Sequence, residues 1–550
     1  MKWLRRQLLV WSCLIVSSGL AFGQISKIAP DLQNLLNSLL EPTNVVIQYN
    51  NAPSLLNIAE LLSLGGVINA QYLSIPAIAV TLPPAVVSIL ALDPAIAYIS
   101  PDRQLTGTLD LTTAAVNADA AFQAGYTGAG VGIAIVDSGI YAHPDLASRI
   151  VYRQSFVPTV GSDDYGHGTH VAGIAAGSGA SSTGAQFTRT FRGVAPGAHL
   201  IDLRVLDANG MSTDSIVLAA IDKAIALKSQ YNIRVMNLSI GRPIYESSTR
   251  DPICKAVAAA WKHGIVVVIA AGNLGRNGYA TITSPGNSPY AITVGAMKTE
   301  GTPSRTDDLI ASYSSKGPSW IDYQVKPDIV APGNMVVSLL APGSTLSKTY
   351  PGNVTAASYY MRPGYSASPA YFELSGTSMA TPVVSGAAAI LLQQNPSLSP
   401  DTVKARLMKT AYKTFPVAST VVDPTTGGVY TDTYDLFTVG AGYLDIAAAL
   451  NDSDAFPGLA LSPSVYYNQL LSLAILVNPP GSGWNNSLWS LTNVWGGGVV
   501  QSLDGTSAAW GSCAAWGSSA AWGSSAAWGS SAAWGSSAAW GSSISGKGEK

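Results

Sequence analysis

The sequence predicts an α/β protein built on a mostly parallel sheet and preceded by a small α+β unit. Three observations predict it. From Asp110 to about Leu450, apolar strand-like runs alternate with helix-like stretches, the pattern of a parallel sheet covered by helices. Several of those runs, Ile265–Ala271 above all, are almost pure Val, Ile and Ala, as expected of strands buried on both faces. Residues 24–104 show a separate order, β-α-β-β-α-β, which is the split βαβ arrangement.

Length and composition bound the rest. A chain of 550 residues is too long for one ordinary domain, and its 47% hydrophobic content supports a large core. A net charge of −2 with only 11% charged residues gives no reason to expect a nucleic-acid or anionic-lipid partner.

At the N-terminus, Met1–Arg6 is basic, Leu8–Val16 is apolar, and Ala21-Phe22-Gly23 offers a cleavage site before Gln24. This is the layout of a secretory signal over 1–23, so export is expected, and a signal anchor is the alternative. Cys13 would leave with the signal. Cys254 and Cys513 then remain, too sparse for a disulfide framework and without metal-binding spacing.

In the 24–104 unit, Asn44–Tyr49 reads as a strand, and Pro53–Leu64 as a helix ended by Gly65-Gly66. Val67–Ser74 and Ile75–Leu82 follow as strands. A helix from Pro83-Pro84 to Leu92 and a last strand over Ala95–Ser100 complete the unit.

In the large segment, Val131–Val136 is a strand ending at Asp137, and a small-residue helix runs through His170–Gly177. Strands are expected at Leu200–Val205, Val235–Ile240 and Ile265–Ala271, with helices over Ser215–Lys228 and Pro252–Lys262. Ala291–Gly295 and Val336–Leu339 add shorter strands. Residues 341–372 are rich in Pro, Gly, Ser and Tyr and read as a long surface loop.

Beyond Asn451 charge falls away. Between Ser507 and Ser543 the unit Ala-Ala-Trp-Gly-Ser-Ser recurs, placing Trp510, Trp516, Trp522, Trp528, Trp534 and Trp540 six residues apart. That period keeps every indole on one face of a strand or of a polyproline II coil. The tail reads either as an adhesive aromatic stripe for a cell surface or polysaccharide, or as a low-complexity repeat without a ligand.

Four residues carry the chemistry. Ser378 lies in Gly376-Thr377-Ser378-Met379-Ala380, before an Ala-rich helical run. Taken alone, the stretch favours a helix cap. Asp137 ends a buried strand, His167 opens a helix, and Asn273 follows the most apolar strand. Functional groups of α/β sheets gather at such strand ends and helix starts. A serine hydroxyl needs an imidazole to take its proton, the imidazole needs a carboxylate to orient it, and the oxyanion needs a donor such as an asparagine amide. With the other three in place, Ser378 reads as a nucleophile positioned by cap geometry. His170 stands three residues after His167 with no Cys or Glu nearby, which argues against a metal pair.

These segments resemble the subtilisin family of serine peptidases: Val-Asp-Ser-Gly at 136–139, His-Gly-Thr-His-Val-Ala-Gly at 167–173, Ala-Ala-Gly-Asn at 270–273 and Gly-Thr-Ser-Met-Ala-Thr-Pro at 376–382. Supporting matches stand at 193–198, 314–318 and 327–333. The resemblance covers roughly 105–450 and implies a subtilisin-like three-layer sandwich with a mostly parallel central sheet. It implies that Asp137 orients, His167 is base and acid, Ser378 is the nucleophile and Asn273 the oxyanion donor. Ser239, Ile240, Gly241, Ala271 and Gly272 would line the pocket for the residue before the scissile bond, and His170 would be structural. The 24–104 unit is similar to the ferredoxin-like propeptide of that family, a folding aid and temporary inhibitor released by self-cleavage around Pro101–Gly107.

Two departures bear on specificity. Leu274 follows Asn273 where many relatives carry an acid, and Thr283 stands at the expected pocket floor, so a neutral or apolar preference is expected. Family members often bind calcium after the histidine helix. Here the loop 178–192 has no Asp or Glu, although Asp145 stands where a ligand is often found, so a structural calcium is doubtful and no metal ligands are assigned. The chemistry itself needs no cofactor.

The expected protein is thus a secreted endopeptidase, free or associated with the cell surface, made as a self-cleaving precursor and working as a monomer on protein or peptide substrates. It would span 1–23 signal, 24–104 propeptide, 105–450 peptidase and 451–550 extension, with no membrane span once mature. The alternatives are a narrow processing protease for an exported partner, with the 341–372 loop restricting access, and a catalytically idle binding module working through its Trp repeat.

Overall fold

The computed structural model describes residues 27–29, 32, 36, 42–72, 76–101, 109–158, 160–423, 427–468, 473–484, 488–495 and 549. The signal segment 1–23, the Pro101–Gly107 junction beyond residue 101 and the Trp repeat of 507–543 lie outside them. Contacts divide the chain into two units, 1–106 and 107–550.

The first unit is a four-stranded antiparallel sheet of β1 (Thr43–Tyr49), β2 (Val67–Tyr72), β3 (Ala77–Leu82) and β4 (Ile96–Pro101), in the order β2-β3-β1-β4. Helices α1 (Leu55–Ser63) and α2 (Pro84–Leu90) complete it. Helix α1 starts where Ser54 and Asn57 satisfy one another's backbone N–H groups, a capping box that needs no acidic residue. Alternate strand residues Val45, Ile47, Ile78 and Val80 bury one face with Leu61, Val87 and Leu90.

The second unit is built on an eight-stranded sheet. In chain order it holds β5 (Gly132–Asp137), β6 (Ile150–Ser155), β7 (His199–Arg204), β8 (Ile233–Leu238), β9 (Val266–Ala270), β10 (Ile292–Lys298), β11 (Leu309–Ile310) and β12 (Ile329–Pro332). The lateral order is β11-β10-β9-β8-β5-β7-β6, with β12 also pairing β10. All these pairings are parallel except β10–β11. Helix α3 (His167–Ala176) packs with α6 (Thr377–Gln394), and α4 (Asp214–Leu227) packs with α5 (Pro252–Lys262), each pair lying on the sheet. Both α3 and most of α6 are buried on every side, which explains their run of Ala, Gly and Val in place of a polar face.

Parallel strands run the same way, so β5, β8 and β9 deliver Asp137, Ser239 and the Ala270–Asn273 stretch to one edge of the sheet. Residues 341–372 are not wholly irregular. They contain a short helix at Thr345–Thr349, and strand β14 (Tyr371–Leu374) pairs antiparallel with β13 (Val336–Leu339). Packing continues past residue 450: Phe456, Trp484, Trp489 and Trp495 form a second core with Val325, Met408 and Phe437. Among the described residues no helix is long and apolar enough to cross a membrane.

Candidate active site

Asp137 and His167 meet because two glycines permit it. A Cβ at Gly168 would lie 2.2 Å from the Gly139 carbonyl and 3.2 Å from Asp137 Cβ, so only glycine lets the start of α3 approach the end of β5 this closely. His167 Nδ1 is then 2.7 Å from Asp137 Oδ1, both side chains fully buried. The carboxylate can only accept, so Nδ1 carries the proton and Nε2 presents a lone pair. Ser138 N–H donates to the same oxygen at 2.7 Å. Among the described residues neither His167 Nε2 nor Asp137 Oδ2 has a hydrogen-bond partner, a vacancy of the sort that functional sites tolerate.

Ser378 is the second residue of α6, and Gly376 holds the cap position without any side-chain cap. The sequence-based expectation that Ser378 caps the helix is therefore corrected. Its hydroxyl donates to the Ser239 carbonyl at 3.1 Å, because the helix already begins at Thr377 and the Ser378 side chain points across to β8.

Asn273 is oriented by Thr377. The Thr377 N–H donates to Asn273 Oδ1 at 2.8 Å and its hydroxyl lies 3.0 Å from the same atom. A backbone N–H cannot face an NH2 group, so the amide oxygen is assigned here and Nδ2 occupies the opposite edge. Thr377 Oγ1 also accepts from Gly272 N–H at 3.2 Å, tying the end of β9 to the start of α6.

Ser239, Ile240, Gly241, Gly272, Asn273 and Ser378 line one small cavity, about 20 Å³ in volume. Ala271 stands behind it, with its carbonyl accepting from Thr283 N–H at 3.0 Å. Thr283 fills the slot: a Cβ at Gly241 would lie 2.6 Å from its Oγ1, and one at Gly272 2.8 Å from its Cγ2.

The subtilase family model matches residues 128–442. The chain is 42% identical over 319 residues to the serine protease AprX of Bacillus subtilis, covering 56% of this chain and 67% of that protein. It is 35% identical over 346 residues to an alkaline protease of Shouchella clausii, 62% and 75% of the two chains. With subtilisin E of Bacillus subtilis the identity is 33% over 355 residues, 63% and 78%. The chain belongs to the subtilase family. It is a serine-type endopeptidase acting on peptide substrates.

This subtilase supports its site with residues that the sequence reading did not single out. Asp163 accepts from Ser138 Oγ, Gly166 N–H and the N–H and hydroxyl of Thr169, holding the chain that leads into α3. Burial pushes its carboxyl up, against those hydrogen bonds. Asn237 donates to Ser239 Oγ at 2.9 Å and accepts from Ser385 Oγ at 2.8 Å. A polar residue inside the otherwise apolar run Val235–Leu238 was the signal for it. His170 belongs to the scaffold: Nε2 is shared by the carbonyls of Val336 and Phe372, at 3.0 and 2.9 Å. Burial, with the His167 ring close by, pulls its pKa down to about 3.

The residues around Asp145 do not fit a calcium cage. Its Oδ1 accepts from Ser181 N–H at 2.8 Å and its Oδ2 from the Tyr371 hydroxyl at 3.3 Å, so protein donors already use both oxygens. Calcium takes six or more oxygen ligands. Among the described residues no group of three or more His, Cys, Asp or Glu gathers to hold an ion.

Proposed function

We propose that Asp137, His167 and Ser378 form the catalytic triad of this endopeptidase and that Asn273 stabilises the oxyanion. The carrying observation is the buried 2.7 Å contact between Asp137 and His167, whose Nε2 has no hydrogen-bond partner among the described residues; Ser378 and Asn273 line one cavity and support the reading. Rotation about χ1 takes the Ser378 hydroxyl from the Ser239 carbonyl towards His167 Nε2. The oxygen attacks the scissile carbonyl as its proton passes to Nε2, and Asp137 steadies the resulting imidazolium. Charge on the former carbonyl oxygen falls to Asn273 Nδ2 and to the N–H groups at the start of α6. Collapse expels the amine, which takes the proton from Nε2 and leaves an acyl group on Ser378. Water, deprotonated by His167, then releases the acid product and regenerates the serine.

The residue before the scissile bond is small and neutral. Thr283 narrows the cavity against Gly241 and Gly272, which supports a small residue there, and no charged side chain lines it, which supports a neutral one.

The chain is secreted through its 1–23 signal and is made as a precursor whose 24–104 unit inhibits the peptidase until self-cleavage around Pro101–Gly107. The mature enzyme is a monomer. Expression of the wild type and Ser378→Ala, compared by gel, N-terminal sequencing and casein hydrolysis, tests this reading. A shortened, active wild type beside a full-length, inactive variant is expected. Two chains of precursor length, both inert towards casein, would overturn it.

A further inference from the structure

A carboxylate withdrawn from water needs partners, and Glu549, next to the C-terminal residue, is only 3% exposed. Its carboxylate accepts from Arg276 Nη2 at 2.8 Å, from Ser312 N–H at 2.9 Å and from the Ser312 hydroxyl. Its main chain is held as well. Glu549 N–H donates to Asn334 Oδ1 at 2.9 Å, and Asn334 Nδ2 donates to the Glu549 carbonyl at 2.8 Å. An amide that spans both main-chain groups of one residue imitates the edge of a neighbouring strand. The Arg276–Ser312 pair thus reads an acidic side chain, while Asn334 reads the backbone that carries it.

The receptor is braced by other contacts. Arg276 Nη1 pairs with Asp423 at 2.6 Å, its Nε donates to Ser312 Oγ at 2.9 Å, and its guanidinium lies 4.6 Å from the Tyr430 ring centre. With Asp423 on one side, Arg276 keeps one fork of its guanidinium for a second carboxylate.

We propose that Arg276, Ser312 and Asn334 form a docking site for an acidic peptide residue, and that its occupant is this chain's own Glu549. Glu549 is thereby latched to the peptidase unit.

The test uses the full chain with Ser378→Ala, so its outcome does not depend on the proposed triad. A carboxypeptidase specific for basic residues is added, and loss of Lys550 is followed by mass spectrometry. The latched chain is expected to lose Lys550 at least about tenfold more slowly than the same chain carrying Arg276→Ala or Asn334→Ala, the size of one or two charge-assisted hydrogen bonds. Thermal melting confirms that each variant is folded. Excess synthetic Gly-Lys-Gly-Glu-Lys should raise the latched chain to the variants' rate, and the same peptide with Gln for Glu should not. Equal rates in all three chains, or equal competition by the Gln peptide, would overturn the proposal.

Discussion

Ser378 and Ser239 exchange two hydrogen bonds. The Ser378 hydroxyl donates to the Ser239 carbonyl at 3.1 Å, and the Ser239 hydroxyl donates to the Ser378 carbonyl at 2.9 Å. The first bond engages the hydroxyl, and the second fixes the backbone that carries it. Ser239→Ala leaves the first in place and removes the second, together with the bond that Asn237 donates to Ser239 Oγ. A neutral hydrogen bond contributes about 0.5–1.5 kcal/mol, so kcat should fall about threefold to tenfold with KM nearly unchanged. Steady-state kinetics on a peptide ester or amide would check this. An unchanged kcat would mean that the Asn237–Ser239 network does not position the serine.

Replacing the Asn273 amide removes its Nδ2 donor together with the Oδ1 that accepts from Thr377, while the Gly272–Thr377 bond still ties the end of β9 to the start of α6. Asn273→Leu should lower kcat by about 10²–10³, the loss typical of this donor in subtilisins, with little change in KM. Thr377→Val should give a smaller loss, because it frees the amide to turn without deleting it. If Thr377→Val proves the more damaging of the two, orientation by Thr377 matters more than the donor itself.

Much of this site was legible in the chain because its residue types are incongruous where they stand. Asp137, Asn273 and Asn237 are polar groups in or just past nearly pure Val, Ile and Ala runs, and His167 opens a helix with no polar face. What could not be read depends on contacts distant in sequence. Ile150–Ser155 alternates half-buried and exposed positions at the sheet edge, so its pattern is weak. Tyr371–Leu374 becomes a strand only through its partner Val336–Leu339. The direction of the Ser378 hydroxyl and the burial of Trp484, Trp489 and Trp495 against Met408 likewise follow from tertiary packing alone.

Thr283 lines both the small cavity beside Ser378 and a second, apolar one of about 180 Å³, bordered by Ile244, Tyr245, Ile282 and Trp320. Thr283→Gly should join the two. The expected result is a shift in cleavage from small residues towards Phe, Leu and Tyr at the position before the scissile bond. The relative kcat/KM should change by about tenfold or more, since each buried methylene contributes about 0.8 kcal/mol. A peptide-library profile of wild type and variant measures it. A wild type that prefers Lys or Arg would contradict the small, neutral pocket.

His170 makes the fold sensitive to acid. Its folded pKa, drawn down to about 3 by burial, lies below the ordinary value of about 6.5, so the unfolded chain binds the proton first. The stability that it supports is complete above about pH 6.5 and is lost as pH falls towards 3, at about 1.4 kcal/mol per pH unit. Between pH 6.5 and 5 the wild type should therefore lose about 2 kcal/mol on this account. His170→Gln should start less stable at pH 7 but show a shallower acid limb. Thermal unfolding across that range, on the Ser378→Ala background to prevent autolysis, would check it. Parallel acid limbs would remove His170 as the cause.

Asp328 makes the sharpest stability prediction, because one buried carboxylate serves two buried lysines. Its Oδ2 is 2.7 Å from Lys326 Nζ and its Oδ1 3.0 Å from Lys404 Nζ, all three side chains fully buried. Thr293 N–H and Ser462 Oγ donate to it as well, at 2.8 and 2.6 Å. Burial and the nearby Lys404 charge pull Lys326 down to about 7, and Asp328 opposes them. Asp328→Asn would leave two ammonium groups facing a neutral amide. A buried pair broken in this way loses about 3–5 kcal/mol, and here the second cation adds to the cost. Lys404→Met leaves Asp328 paired with Lys326, so its loss should be less than half as large. Because Ser462 lies beyond residue 450, Asp328→Asn should also loosen the Phe456–Trp495 segment, seen as earlier proteolysis there below the main melting transition. Equal losses from Asp328→Asn and Lys404→Met would show that the carboxylate is not what holds the two lysines inside.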